Sequence, residues 1–180
     1  MSQLTIFSAN NPNQALQQVQ DANTIASLLA EQGVRFEQWQ ATKDIHSDMS
    51  QTEIIDAYQH DVERLKAQGG YQTVDVISLA KGNPSAPELR QKFLFEHTHS
   101  EDEVRFFVKG QGLFCLHLNN KVYQVRCQQG DLISVPENTP HWFDMGSDPE
   151  FTAIRLFNNQ EGWVASSTGS EIAKQFPLLD

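Results

Sequence analysis

The sequence predicts an all-β core, a sandwich or small barrel, with helices gathered in the N-terminal third. Three observations predict it. From residue 104 onward, short apolar runs recur at 104–108, 113–118, 122–127, 132–135 and 151–157, each followed by turn residues. Asn119-Asn120 between two of these runs is a hairpin signal. Before residue 70, two stretches carry apolar residues at helical spacing with cap signals at their ends. A length of 180 residues is expected to form one domain with a sizeable core.

Taken in order, residues 4–7 read as an edge strand, followed by a polar Gln/Asn-rich stretch to residue 20. Residues 21–32 read as a helix, with Ile25, Leu28 and Leu29 in one stripe and Gly33 just past its end. Residues 34–39 alternate and read as a strand. Ser50 and Glu53 form a capping-box pattern that opens a helix over 51–68. Ile54, Ile55, Tyr58, Val62 and Leu65 share one side of it, and Gly69-Gly70 ends it. His60 lies off that stripe and His46 in a polar loop, so both are read as solvated. Residues 71–79 are β-branched and strand-like. Pro84 and Pro87 flank a loop, with a single helical turn at 87–92. Gly110/Gly112, Gly130 and residues 146–149 supply the later turns. The organisation expected is a helical region over about 1–70, a barrel over about 71–160, and a tail, 161–180, carrying Trp163 and Phe176, that packs back on the barrel.

The formal net charge is −10 and the pI about 4.9, with no basic run, which argues against nucleic acid and anionic membrane as partners. The first residues have no basic region and no long apolar stretch, and no run approaches a membrane span. Cys115 and Cys127 both fall in predicted strands. Two cysteines without an export signal are expected as reduced thiols in the cytoplasm. A monomer is expected.

The chemistry is concentrated in EHTHSEDEVRFFVKG, residues 96–110, which sets His97, His99 and Glu103 within seven residues. Histidines at i and i+2 share a face of extended chain. Glu103 joins them if the strand persists or if a short loop at 100–102 brings it round. A second stretch, GDLISVPENTPH, residues 130–141, reads as turn, strand and loop delivering His141. These four residues are predicted to bind one metal ion. Imidazole nitrogen with carboxylate oxygen suits Fe(II), Ni(II), Mn(II) or Zn(II). A closed structural site commonly uses cysteine, and neither cysteine is near this spacing. If the ion is octahedral, four protein ligands leave two positions for a bidentate substrate, or for a substrate oxygen and O2.

Arg105 shares the parity of Glu103. It either pairs with a neighbouring carboxylate or faces the ligands to hold an anionic substrate, and the second reading is preferred. Glu101 and Asp102 form either a solvated loop or a shell of groups that orients the histidines. Glu96 has the same two readings. Phe93, Phe107, Trp142 and Phe143 are core residues or the apolar wall of a substrate pocket. His117 is read as structural.

His97-x-His99-x3-Glu103-x6-Gly110 resembles the first motif of the cupins, and Gly130-x5-Pro136-x-Asn138-x2-His141 the second. The departures are Gln91 and Asn138, where the motifs usually have glycine, and Met145, where the second often has asparagine. None removes a ligand, and asparagine tolerates positive φ. Within the cupins, the run from Glu96 to Phe106, with Val135-Pro136-x4-His141-Trp142-Phe143-Asp144 and the chain length, resembles the acireductone dioxygenases of methionine salvage. The detailed match spans about residues 96–144. The resemblance implies a double-stranded β-helix, or jelly roll, with helices packed outside. It implies one Fe(II) or Ni(II) per monomer and, as partners, O2 and the acireductone 1,2-dihydroxy-3-keto-5-methylthiopentene. Iron would give 2-keto-4-methylthiobutyrate and formate. Nickel would give methylthiopropionate, formate and carbon monoxide.

Overall fold

The structure, a computed structural model, describes residues 1–46, 48–159 and 164–180. In chain order it contains β1 (Gln3–Ser8), β2 (Asn11–Val19), α1 (Ala22–Ala30), β3 (Arg35–Gln38), α2 (Gln51–Ala57), α3 (Gln59–Gly69), β4 (Thr73–Leu79) and α4 (Ala86–Phe93). Then follow β5 (His97–Thr98), β6 (Glu103–Leu118), β7 (Lys121–Gln128), β8 (Asp131–Val135), β9 (His141–Asp144), β10 (Phe151–Phe157), β11 (Ser166–Ser167) and a 3-10 turn, Ile172–Gln175.

β6 is the spine. Its first half pairs with β8 and β10, and its second half with β7 and β9, all antiparallel. β10 continues to β4, and β8 to β3. On the other side β7 continues to β1 and β2, and β9 to β5 and β11. Two antiparallel layers therefore share one strand, which is the double-stranded β-helix. Gly110 and Gly112 were expected to separate two strands, but the ladder runs through them. Gly110 pairs with Phe151 and Gln111 with Gln128. Gly110 takes φ 72°, and a Cβ there would run into the backbone of Glu150 and Phe151. The glycine bends the strand from one layer into the other without ending it.

The N-terminal third holds more strand than its sequence suggests. The polar stretch after β1 is β2, a nine-residue strand with no buried residue. It shows no apolar alternation because it buries no face, and only its ladder to β1 defines it. β1 pairs on both sides, so β2 rather than β1 is the edge. The helix expected over 51–68 is broken at Tyr58, whose φ −117° and ψ 22° leave helical space. Tyr58 is buried edge-on against Phe106, and its hydroxyl accepts from the Lys43 N–H. The Ser50–Glu53 capping box forms, and Gly70 ends α3 at φ 68°. The single turn expected before the ligands is α4, eight residues with Pro87 in its first turn.

Asn119 and Asn120 both take positive φ, 51° and 59°, as a type I′ hairpin requires. The rings of Phe107, Phe114, Phe143 and Phe151 touch one another within one core cluster. α2 and α3 cover a second, with Ile54, Val62 and Leu65 against Val104, Phe106 and Val108 of β6. The tail does pack back. β11 adds to β5, and Phe176 lies edge-on to Phe7 and near Trp142. Trp163 lies outside the described residues. Cys115 and Cys127 are buried and free. Among the described residues no helix is long and apolar enough to cross a membrane.

Candidate metal centre

Three of the four ligand candidates lie on strands, His97 on β5, Glu103 on β6 and His141 on β9, and His99 lies just past the end of β5. β5 is only two residues long, and the chain then bends at Ser100 and Glu101 before Glu103 opens β6. Glu103 is thus brought round by the loop, not by a continued strand. His141 opens β9, and β5 pairs with β9 so that His97 lies opposite His141. Asn138, at φ 60°, turns the loop before His141, and its N–H donates to the His99 carbonyl at 2.8 Å. All four side chains are buried, and one ligand atom from each lies within 4.8 Å of the others.

Backbone carbonyls fix the imidazoles. The Nδ1 atoms of His97, His99 and His141 lie 2.7, 3.1 and 2.7 Å from the carbonyl oxygens of Phe95, Val164 and Thr139. A carbonyl only accepts, so each Nδ1 bears the proton and each neutral ring keeps a bare lone pair on Nε2. Yet Glu103 Oε2 stands 2.8 Å from His141 Nε2 and 3.3 Å from His99 Nε2. A bare nitrogen and a carboxylate oxygen repel unless a cation lies between them or the ring takes a second proton. The donor set fits a divalent ion: three imidazole nitrogens and one carboxylate, with tautomers already fixed.

The electrostatics agree. Burial, helped by the neighbouring His141, pushes His97 down to about 4. For Glu103, burial alone would raise the pKa. The Arg105 guanidinium and the imidazoles outweigh it and hold the carboxyl well below the ordinary range. Arg105 Nη2 donates to Glu103 Oε1 at 2.5 Å, while its guanidinium lies over the rings of Phe143 and Phe114 at 4.9 and 5.3 Å. Its Nε and Nη1 are buried without a hydrogen-bond partner among the described residues. Of the two sequence readings of Arg105, the pairing with a neighbouring carboxylate is seen on one edge, and Nε and Nη1 remain without a partner among the described residues.

The cavity beside the ligands holds about 60 Å³ and is lined in part by Phe93, Phe143, Phe157, Arg155 and Ala165. A larger depression, about 580 Å³, lies elsewhere, between Lys81, Gly110, Met145 and Asp180, and holds none of the clustered donors. Phe93 and Phe143 stand where a pocket wall was expected, but Phe107 and Trp142 do not line this cavity. Trp142 follows His141 in an extended strand, so it points to the opposite face and packs on Phe176. Phe107 has the expected parity but sits one step further along β6, among Phe114 and Phe151.

Among the described residues, Glu101 and Asp102 make their hydrogen bonds away from the histidines. Glu101 accepts from Asn159 Nδ2, and Asp102 from the Glu137 N–H. Glu96 is no surface charge: at 3% exposure its carboxylate accepts from His117 Nδ1 and Thr168 Oγ1, both at 2.7 Å. That also gives His117 its place. Sequence reasoning missed Arg155, which faces Arg105 across β10 and pairs bidentately with Asp75. It also missed the Val164 carbonyl. Only strand register finds the first, and a carbonyl leaves no mark in a sequence.

Comparison with known proteins agrees with this geometry. The model of the ARD/ARD' family matches residues 3–165. A curated relative from Alcanivorax borkumensis, named acireductone dioxygenase, is 59% identical over 99% of this chain and 98% of its own. One of the same name from Yersinia enterocolitica is 57% identical over the whole of both chains. The solved structure of an acireductone dioxygenase from Bacillus anthracis, with a cadmium ion in its active centre, superposes with a TM-score of 0.81. It is 34% identical and covers 92% of this chain and 98% of its own. With a family model matched over most of its length and full-length relatives at this identity, the chain belongs to the ARD/ARD' family.

Proposed function

We propose that this protein is a metal-dependent dioxygenase that cleaves 1,2-dihydroxy-3-keto-5-methylthiopentene with O2, holding one Fe(II) or Ni(II) on His97, His99, Glu103 and His141. One observation carries the reading. Beside a four-donor cluster, buried Arg105 keeps two donor nitrogens, Nε and Nη1, without a partner among the described residues. A buried cation with spare donors is matched to an anionic oxygen substrate.

The bound ion would supply Lewis acidity that orients the substrate oxygens. The chain supplies the rest. Nδ1–H bonds to carbonyls keep the three Nε2 atoms turned inward. Arg105 offers Nε and Nη1 to an enediolate oxygen, and its charge favours the ionised enediol. The dianion is the electron-rich form that O2 oxidises. Phe93 and Phe143 offer apolar surface to the methylthio tail. With iron, the expected products are 2-keto-4-methylthiobutyrate and formate. With nickel, they are methylthiopropionate, formate and carbon monoxide.

The test uses protein stripped of metal and reloaded separately with Fe(II) and Ni(II), beside Arg105→Leu prepared identically. Acireductone is added without oxygen, O2 is admitted, and products including gas are identified. Oxygen uptake with formate is expected from both loaded forms, and carbon monoxide from the nickel form alone. Arg105→Leu is expected to keep its metal and lose about 100-fold or more in kcat/KM, the scale of one or two lost charge-assisted hydrogen bonds. No oxygen uptake by folded, metal-loaded protein would overturn the assignment.

A further inference from the structure

We propose that Thr168 and Glu96 are positioning residues of the metal centre, latching residues 164–168 across the strand that carries His97. The inference rests on the metal-binding part of the function proposed above, and not on the substrate. Glu96 is 3% exposed and precedes His97, and both of its carboxylate oxygens are used. Oε1 accepts from the Thr168 hydroxyl at 2.7 Å, and Oε2 accepts from His117 Nδ1 at 2.7 Å. The Thr168 N–H also donates to the Glu96 carbonyl at 3.1 Å. His117 is rooted beside the other ligand strand, since its own N–H donates to the Pro140 carbonyl at 2.9 Å.

What the latch holds is part of the site. Ser166 and Ser167 form β11, in register with Thr98 and His97. The Val164 carbonyl is the acceptor that fixes His99 Nδ1, and Ala165 lines the cavity. Residues 164–168 are all exposed, and Val164 is 63% exposed, so hydrogen bonds rather than burial keep the segment in place. The Thr168–Glu96 bond is charge-assisted and therefore among the stronger of them. Without it the segment frays, His99 loses the acceptor that aims its Nε2, and the wall at Ala165 opens. The cavity of about 60 Å³ lies below the ~300 Å³ of the smaller ligand pockets, so a movable wall here also suits substrate entry.

The experiment compares wild type, Thr168→Val and Thr168→Ser, each loaded with Ni(II) and then given excess chelator. Retained nickel is measured over time, and thermal unfolding of the metal-free proteins is followed in parallel. Thr168→Val is expected to release nickel about tenfold faster, the scale of one lost charge-assisted bond, while Thr168→Ser stays within about twofold of wild type. Unfolding midpoints are expected to coincide, because the segment lies outside the cooperative core. Glu96→Gln, which keeps the shape and removes the charge, is expected to shift release in the same direction. Equal release from Thr168→Val and wild type would overturn the assignment, as would equally fast release from Thr168→Ser. A wild type that held no metal would remove both this reading and the proposed function. One that held metal but left acireductone untouched would remove the substrate reading alone.

Discussion

His97 joins the fold to the chemistry through a single proton. Burial, then the neighbouring His141, pushes its pKa from an ordinary 6.5 to about 4. Between those values the unfolded chain binds a proton that the folded chain refuses. Stability from this group is therefore full above about pH 6.5 and falls as the pH drops toward 4. A shift of that size corresponds to about 3 kcal/mol. Glu103 acts in the same direction at lower pH, because its carboxyl is held well below 4.5 when folded and needs a proton to unfold in acid. The urea midpoint of metal-free protein is expected to fall between pH 7 and pH 4.5, with a shallower slope in His97→Asn. A flat wild-type profile would mean that His97 is not neutral in the fold. The same residue shows what a sequence reveals at this scale. His97, His99 and Glu103 were legible because ligands on neighbouring residues leave a spacing. The carbonyls of Phe95, Val164 and Thr139 that fix the tautomers were not, because every residue has a carbonyl. Phe107 and Trp142, read as core or pocket wall, are core; the sequence left both readings open because parity gives a face but not a depth along the strand, and says nothing of which side a new strand begins on.

At the scale of elements, β6 decides how the ligands meet. Its first residue is Glu103, its third is Arg105, and its second half carries the pairing to β9 that delivers His141. The apolar runs on either side of Gly110 were legible, but their union into one strand was not, since a glycine that bends a strand and one that ends it look alike. The two cases separate on substitution. Gly33 has φ 76° at the end of α1 with nothing within 4 Å of an added Cβ, so Gly33→Ala meets only backbone strain. That is worth about 1 kcal/mol. Gly110 has φ 72° and in addition faces the Glu150 carbonyl, which is backbone and cannot swing aside. Gly110→Ala is expected to cost more than about 3 kcal/mol, a drop of roughly 6–12 °C in unfolding midpoint against roughly 2–4 °C for Gly33→Ala. Equal shifts in a thermal melt would show that the bend at Gly110 yields easily. β2 was invisible for the opposite reason. Among the described residues it pairs on one side only and has no buried face, so the pattern that marks strands in a sequence is absent from it.

For the whole molecule, the question is whether the metal builds the barrel or the barrel builds the site. The ligands lie on β5, β6 and β9, with His99 just past the end of β5. β6 is held by β8 and β10 through pairings of Glu103–Gly110 that involve no ligand other than Glu103 itself. The aromatic cluster and the layer under α2 and α3 are also independent of the ligands. β5 is different: it is two residues long, and among the described residues it pairs only with β9 and β11. The barrel is therefore expected to stand without metal, and the ion to fasten β5 to it. An ion bound only by the folded chain adds about 4 kcal/mol at a free concentration one thousand times its Kd. For a chain of this size that is a rise of roughly 8–16 °C in unfolding midpoint. Chelation should lower the midpoint by that amount, leave the far-ultraviolet dichroism of the β core unchanged at 25 °C, and be reversed by adding Ni(II) back. Loss of the β signal on chelation would show that the metal nucleates the fold, as in small zinc domains. An unchanged midpoint would show that the four side chains hold no ion, and that the close approach of Glu103 to the imidazoles is met by a proton instead.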